Sequence, residues 1–216
     1  MFAAGDEGQR AATMEKRKVD RWARTTDYTG AIAALACALL LLATPTAAAT
    51  VVYRVDPSRT TAEYTIAYLG VLQTHGRFGG THGTLAVDLD ALAGHVEFTI
   101  DARSVDTGFA LRDAFIRDGT LLDVEHHPSI AFVSSRLTFA EGRLTRIDGR
   151  LTMRGVTRDV SLDVVRFDCG APGAEAPRDC VADATATLHR SDFGMDAYAP
   201  LIDDDVTLAF AIVGRR

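Results

Sequence analysis

Lysine is almost missing from this chain. Of its 216 residues only Lys16 and Lys18 are lysine, and both stand in the first 18 positions. From Thr50 to Arg216 there are 17 arginines against 24 acidic residues, a net charge of −7. So acidic a segment repels phosphate backbones, which excludes nucleic acid as an expected partner. No Gly-x-Ser-x-Gly elbow occurs. The glycine-rich stretch Gly76–Gly83 opens onto a strand pattern, so it lacks the helix N-terminus that would hold a phosphate and reads as a loop. Cysteine is scarce, with three residues, and tryptophan occurs once. No apolar run reaches the roughly 20 residues of a spanning helix.

What is present is ordinary in bulk, 47% hydrophobic and 24% charged. That balance excludes a disordered tail, a collagen-like repeat and a multi-span membrane protein. The distribution is uneven, however. Lys16, Arg17, Lys18, Arg21 and Arg24 precede the 13-residue apolar run Ala31–Ala43, which is followed by Pro45 and by Ala47-Ala48-Ala49. A basic region, a short apolar core and an A-x-A end are the parts of a secretory signal peptide. The expected division is therefore an N-terminal extension and leader over 1–49, cut near Ala49, and one domain over 50–216. The expected location is periplasmic or secreted, with an uncleaved anchor as the alternative. Residues 1–13 fit neither leader nor domain, which leaves Met1 and Met14 as alternative starts. Cys37 lies inside the apolar run rather than at its end, where lipid attachment would need it.

Cys169 and Cys180 flank ten residues rich in glycine, proline and alanine. In an exported chain such a pair reads as a disulfide closing a loop. A zinc site would need two more ligands, and only His189 is near in sequence.

From Thr50 onward the dominant period is two. Ala62/Tyr64/Ile66/Tyr68, Leu85/Val87/Leu89 and Val96/Phe98/Ile100/Ala102 alternate with mostly polar residues. The pattern returns at Ile130/Phe132, Leu151/Met153, Val160/Leu162/Val164 and Val206/Leu208/Phe210/Ile212. Such alternation means strands with one apolar and one wet face. Gly79-Gly80, Ala93-Gly94, Glu141-Gly142 and Asp148-Gly149 read as turns between them. About eight strands in one domain predict an all-β sandwich or closed antiparallel barrel. One stretch, Asp106–Leu122, carries Leu111, Ala114 and Phe115 at helical spacing and predicts a short helix.

Chemistry is sparse. Asp123, Glu125, His126 and His127 form the most enzyme-like patch, able in principle to hold a metal or move protons. Pro128 follows directly, no second histidine motif has ligand spacing, and a solvated turn is the better reading. Asp203-Asp204-Asp205 lacks the spacing of a calcium loop and reads as an exposed turn. Ser134-Ser135, Arg112-Asp113 and Arg190 with Asp192 read as groups that fix strand ends. No nucleophile–base pair assembles, so neither a catalytic residue nor a metal site is assigned.

Several stretches in register resemble the YceI-like family of bacterial periplasmic proteins, across Tyr53 to Val213. They are Tyr53–Asp56, Tyr64–Gly70 with Gly76-Arg77-Phe78, Ser104–Gly108, Arg112-Asp113, His127–Phe132, Leu151–Thr157 and Arg190–Met195. The resemblance implies a lipocalin-like eight-stranded antiparallel barrel with a long apolar pocket for a polyisoprenoid lipid or prenylated quinone. It implies a carrier or buffer rather than an enzyme, with no cofactor beyond that ligand and at most transient membrane contact. The expected ligand contacts are Tyr64, Ile66, Tyr68, Val96, Phe98, Ile100, Phe115, Phe132, Leu162 and Phe210. Family members often carry histidine where this chain has Tyr68 and Phe115, which implies an altered headgroup contact. The rivals are a hydrolase or isomerase using Asp123, Glu125, His126 and His127, and an interaction module whose interior is filled by its own side chains.

Overall fold

The alternating segments pair into one antiparallel sheet that closes on itself. The computed structural model describes residues 50–216, so the expected leader and its cleavage point lie outside the described residues. The strands are β1 (Val51–Val55), β2 (Thr61–Tyr68), β3 (Leu72–Phe78), β4 (Thr81–Asp88), β5 (Ala93–Asp101) and β6 (Val105–Asp106). After helix α1 (Ala110–Arg117) come β7 (Ser129–Ala140), β8 (Arg143–Met153), β9 (Val156–Asp168), β10 (Asp179–His189) and β11 (Ile202–Arg215). The ring runs β1-β4-β5-β7-β8-β9-β10-β11 and is closed by β1 on β11. This is an eight-stranded antiparallel barrel.

The other three strands prolong the ring upward. β1 pairs with the end of β11 (Arg54↔Arg215), and β2 continues along the same strand from Thr61↔Ala211 to Tyr68↔Ile202. Likewise β3 continues β4 past Gly79-Gly80 and β6 continues β5 past the 3-10 turn Ala102–Ser104, since Phe78 pairs with Val105 and Thr81 with Ile100. Three neighbouring staves are thus interrupted at one level. Below it the wall is continuous. Above it, β6 spans only the Arg77–Phe78 end of β3, and α1 with the following 118–128 segment completes the enclosure.

Leu85, Val87, Leu144, Ile147 and Leu162, all buried, form the core of the lower half and leave only a small void among them. Its end is covered by the loop between β9 and β10. Cys169 and Cys180 are joined by a disulfide and are both buried. Closing so short a loop contributes roughly 2–3 kcal/mol in the chain-entropy model. Tyr53 Oη donates to the Pro177 carbonyl at 3.2 Å, and the Gly173 amide donates to Asp90 Oδ1 at 2.6 Å, which fastens the loop to β1 and to the β4–β5 turn.

Four local expectations change. Gly76–Gly83 is not a loop but the end of β3, a two-residue bend and the start of β4. Asp148-Gly149 lies in the middle of β8, because Phe132 covers it: a Cβ on Gly149 would stand 2.5 Å from Phe132 Cζ. Ala93-Gly94 opens β5 rather than turning before it. Asp203–Asp205 lies within β11, where the register shifts between Ile202 and Val206. There Asp204 accepts hydrogen bonds from the Ser191 amide and hydroxyl, and Asp205 meets His189 Nδ1 at 2.7 Å. Glu141-Gly142 is a turn as expected, and both residues have positive φ.

Candidate ligand-binding cavity

The inward face of the upper half surrounds open space instead of filling it. A cavity of about 380 Å³ lies there, within the roughly 300–1,000 Å³ usual for small-ligand sites. β2 contributes Ala62, Tyr64, Ile66 and Tyr68, and β11 contributes Ile202, Val206, Leu208 and Phe210. Phe98, Ile100, Ile130, Leu151, Met153 and Leu188 come from β5, β7, β8 and β10. Phe115 and Ile116 of α1, followed by Leu121 and Leu122, form the side that β6 leaves open. Period two puts these side chains inward on the strands, while helical spacing turns Arg112, Phe115 and Ile116 of α1 toward the same space.

The polar members of the lining are Glu63, Tyr64, Tyr68, Thr74, Arg112 and Arg190, of which Arg190 fixes the surrounding backbone and Tyr64 carries a burial cost. Arg190, 4% exposed, donates Nε to the Asp203 carbonyl, Nη1 to those of Met195 and Ala197, and Nη2 to that of Ile202. The planar guanidinium ties four carbonyls of the β10–β11 connection and the β11 start into one place. Tyr64 lies flat along the wall, its ring 5.7 Å from that of Phe78. Its register partner is Gly76, where a Cβ would stand within 2.5 Å of the ring and hydroxyl. Only glycine leaves room for this ring. The Tyr64 hydroxyl is buried without a hydrogen-bond partner, and burial pushes its pKa up to about 12 despite the nearby Arg112 charge.

The rim of this cavity is apolar as well. Phe115 packs on Tyr198 with ring centroids 4.9 Å apart, and Tyr68, Leu69, Tyr198 and Leu201 are exposed. The Leu69 amide donates to the Leu201 carbonyl at 2.8 Å and holds the β2–β3 hairpin against this connection.

Of the ten contacts expected from sequence, Tyr64, Ile66, Tyr68, Phe98, Ile100, Phe115 and Phe210 line the cavity. The other three are placed elsewhere. Val96 and Leu162 point inward below it, around a second void of about 40 Å³. Phe132 is 1% exposed and stacks on Phe98 at 5.2 Å, so it braces a lining ring from behind. Period two assigns a face but not a height, which sets Val96 and Leu162 below the cavity; Phe132 stands level with its register partner Phe98 and is covered by that ring. Arg190, Met195 and Leu121-Leu122 escaped sequence reasoning because they follow strands or the helix rather than alternate within them. Val206 and Leu208 stood in the β11 alternation and were available from it.

The acidic–histidine patch lies outside the cavity lining. Asp123 has φ of 49°, and its carbonyl accepts from the amides of His126 and His127. Its carboxylate meets His126 Nδ1 at 2.8 Å, and His127 Nε2 is 3.9 Å away. The hydrogen bond holds Asp123 below the usual carboxylate range and raises His126 above its ordinary value. His126 is 79% exposed. This is a turn fastened by its own side chains, and none of the four residues lines the cavity. Among the described residues, no group of three histidine, cysteine or acidic side chains converges as a metal site would require. Nor is any helix among them long and apolar enough to cross a membrane.

The family model of the YceI-like domain matches residues 53–214. The chain belongs to the YceI-like family. A UPF0312 protein of Pseudomonas aeruginosa is 31% identical over 167 residues, covering 76% of this chain and 86% of that protein. One from Pectobacterium atrosepticum is 32% identical over 156 residues, with 71% and 80% covered. Among solved structures, BcnA of Burkholderia cenocepacia aligns with a TM-score of 0.63 at 22% identity, over 74% of this chain and 98% of its own. A polyisoprenoid binding domain from Saccharophagus degradans aligns with a TM-score of 0.58 at 17% identity, over 76% and 97%. At these identities the structures show a shared YceI-like fold.

Proposed function

We propose that this YceI-like protein is a carrier or buffer for one polyisoprenoid lipid or prenylated quinone, held in the upper cavity, rather than an enzyme. The observation that carries this reading is the predominantly apolar lining from the exposed rim at Tyr68 to the floor at Phe98 and Phe210. The polyisoprenoid binding domain of similar fold supports the same ligand class. A prenyl chain needs dryness and shape rather than charge. Each five-carbon unit taken from water contributes up to about 4 kcal/mol gross, at roughly 0.8 per carbon group, before ordering costs. Tyr64, Ile66, Tyr68, Ile100 and Phe115 are the contacts expected along the chain, with Tyr68 and Phe115 nearest the headgroup. Membrane contact is confined to ligand exchange. The basic, apolar and A-x-A segments over 1–49 support export to the periplasm or beyond, with cleavage near Ala49, which N-terminal sequencing of the exported product tests.

Native mass spectrometry and lipid extraction of the purified protein test the binding itself. The expected result is a co-purifying or readily taken up prenyl lipid, lost in Leu208→Asp, which puts an unpaired charge on the apolar wall. A folded wild-type protein that takes up no prenyl lipid overturns the reading. So does a turnover on a prenyl substrate that disappears in the His126→Ala/His127→Ala double variant.

A further inference from the structure

The cavity and the void around Val96 and Leu162 stand one above the other, and they share only two lining side chains, Phe98 and Phe210. The rings are 5.4 Å apart and tilted by 51°, and each residue is 6% exposed. Phe98 is braced in turn by Phe132, which stacks on it at 5.2 Å and lies over Gly149. A row of three aromatic rings therefore crosses the lumen from β7 to β11. Above it is the cavity of about 380 Å³, and below it the void of about 40 Å³. The lower void is as apolar as the upper one, lined by Leu85, Val96, Leu144, Leu162 and Ala184 among others.

We propose that Phe98 and Phe210 form a stop that sets the length of prenyl chain this protein takes. The inference rests on the binding reading above and adds to it a determinant of specificity. A chain entering at the rim is covered by apolar wall until its tip meets the two rings. Any further unit must remain at the mouth, in contact with water, and gains nothing from burial. The stop is made of side chains and not of wall. Beneath it the barrel continues with a ready apolar space, so removing either ring joins the two voids and deepens the site. Rings held in a braced row keep their positions, because a packed interior resists small displacement.

The test is a binding series with linear prenyl alcohols of increasing length, from geraniol through farnesol and geranylgeraniol to longer homologues. Wild-type affinity is expected to rise with each unit and then level off. In Phe98→Ala and Phe210→Ala the plateau moves at least one unit later, and the first chain beyond the wild-type plateau binds about tenfold tighter than it does to wild type. Phe98→Leu and Phe210→Leu, which retain more of the packing, shift it in the same direction by less. Ala184 stands directly opposite Phe210 in the β10–β11 register and lines the lower void. Ala184→Leu in the Phe210→Ala background refills that space and returns the plateau toward wild type. Folded alanine and leucine variants that keep the wild-type plateau overturn the stop while leaving prenyl binding intact. If the wild-type protein binds none of the alcohols at any length, it is the binding reading that fails, and the stop fails with it.

Discussion

The lower and upper halves of this barrel share the same staves and period-two pattern, yet one is a packed core and the other a container. Below the level of Phe98, the inward residues Leu85, Leu144, Ile147 and Leu162 meet one another across the lumen, and the disulfide loop covers the end. Above it, Ile66, Leu208 and Met153 face space. The difference lies in how the wall is closed. β-strands close the lower ring entirely, whereas a helix and an irregular segment complete the upper part. Apolar side chains therefore stabilise the fold below and are available for a ligand above.

Removing Arg190 is the most severe way to break the upper half. Arg190→Met leaves four carbonyls of the β10–β11 connection without their donor and is expected to cost about 3 kcal/mol or more, read as a fall in the denaturant midpoint. Lysine at this position should rescue little, since a point charge cannot reproduce the planar fork. A direct comparison of the halves comes next. Leu162→Ala removes a buried side chain from the lower core, widening its small void, and should cost about 2–5 kcal/mol without changing prenyl uptake. Ile66→Ala, which enlarges an existing cavity, should cost about 1 kcal/mol or less while weakening uptake. Equal losses of stability at the two sites would erase the distinction between core and container.

Two smaller effects sharpen it. Tyr64→Phe removes a buried hydroxyl that has no partner, and should be neutral or stabilising by about 1 kcal/mol in thermal unfolding. The Asp123–His126 turn lies outside the container, and its electrostatics should be independent of ligand. Because the folded-state pKa of His126 is raised, its contribution is fully present below the ordinary value of 6.5 and is lost as pH rises through the folded value. The depressed Asp123 contributes in the opposite sense, losing its effect as pH falls through its own folded value. An NMR titration should place His126 above 6.5 in the wild-type protein, back near it in Asp123→Asn, and unmoved by prenyl alcohol.

The barrel was legible in the sequence wherever large apolar residues alternate, as in β2, β5 and β11. β10 was silent because its inward positions Ala182, Ala184 and Ala186 are too small to stand out from Thr185 and Thr187. β3 was silent because its inward positions include Thr74, which is polar, and Gly76, whose place is taken by the Tyr64 ring. Gly149 was misread as a turn for a related reason: a glycine beneath an aromatic ring is required by a contact with the neighbouring strand β7, which local pattern does not record. The same limit governs the site. Val96 shares its alternation with Phe98 and Ile100, and Leu162 and Phe132 alternate in the same way on β9 and β7; only strand register sets Val96 and Leu162 below the floor, and only the stacked Phe98 ring covers Phe132.

The three interruptions at Asp56–Thr60, Gly79-Gly80 and Ala102–Ser104 lie side by side across three neighbouring staves. Mechanically they are a crease. A hydrogen-bonded ladder without breaks transmits any bending to its whole length, whereas this one can open β2, β3 and β6 at the expense of the bonds above the crease alone. Native-state hydrogen exchange should accordingly separate the amides of β2, β3 and β6 from those of the ring, the former exchanging first.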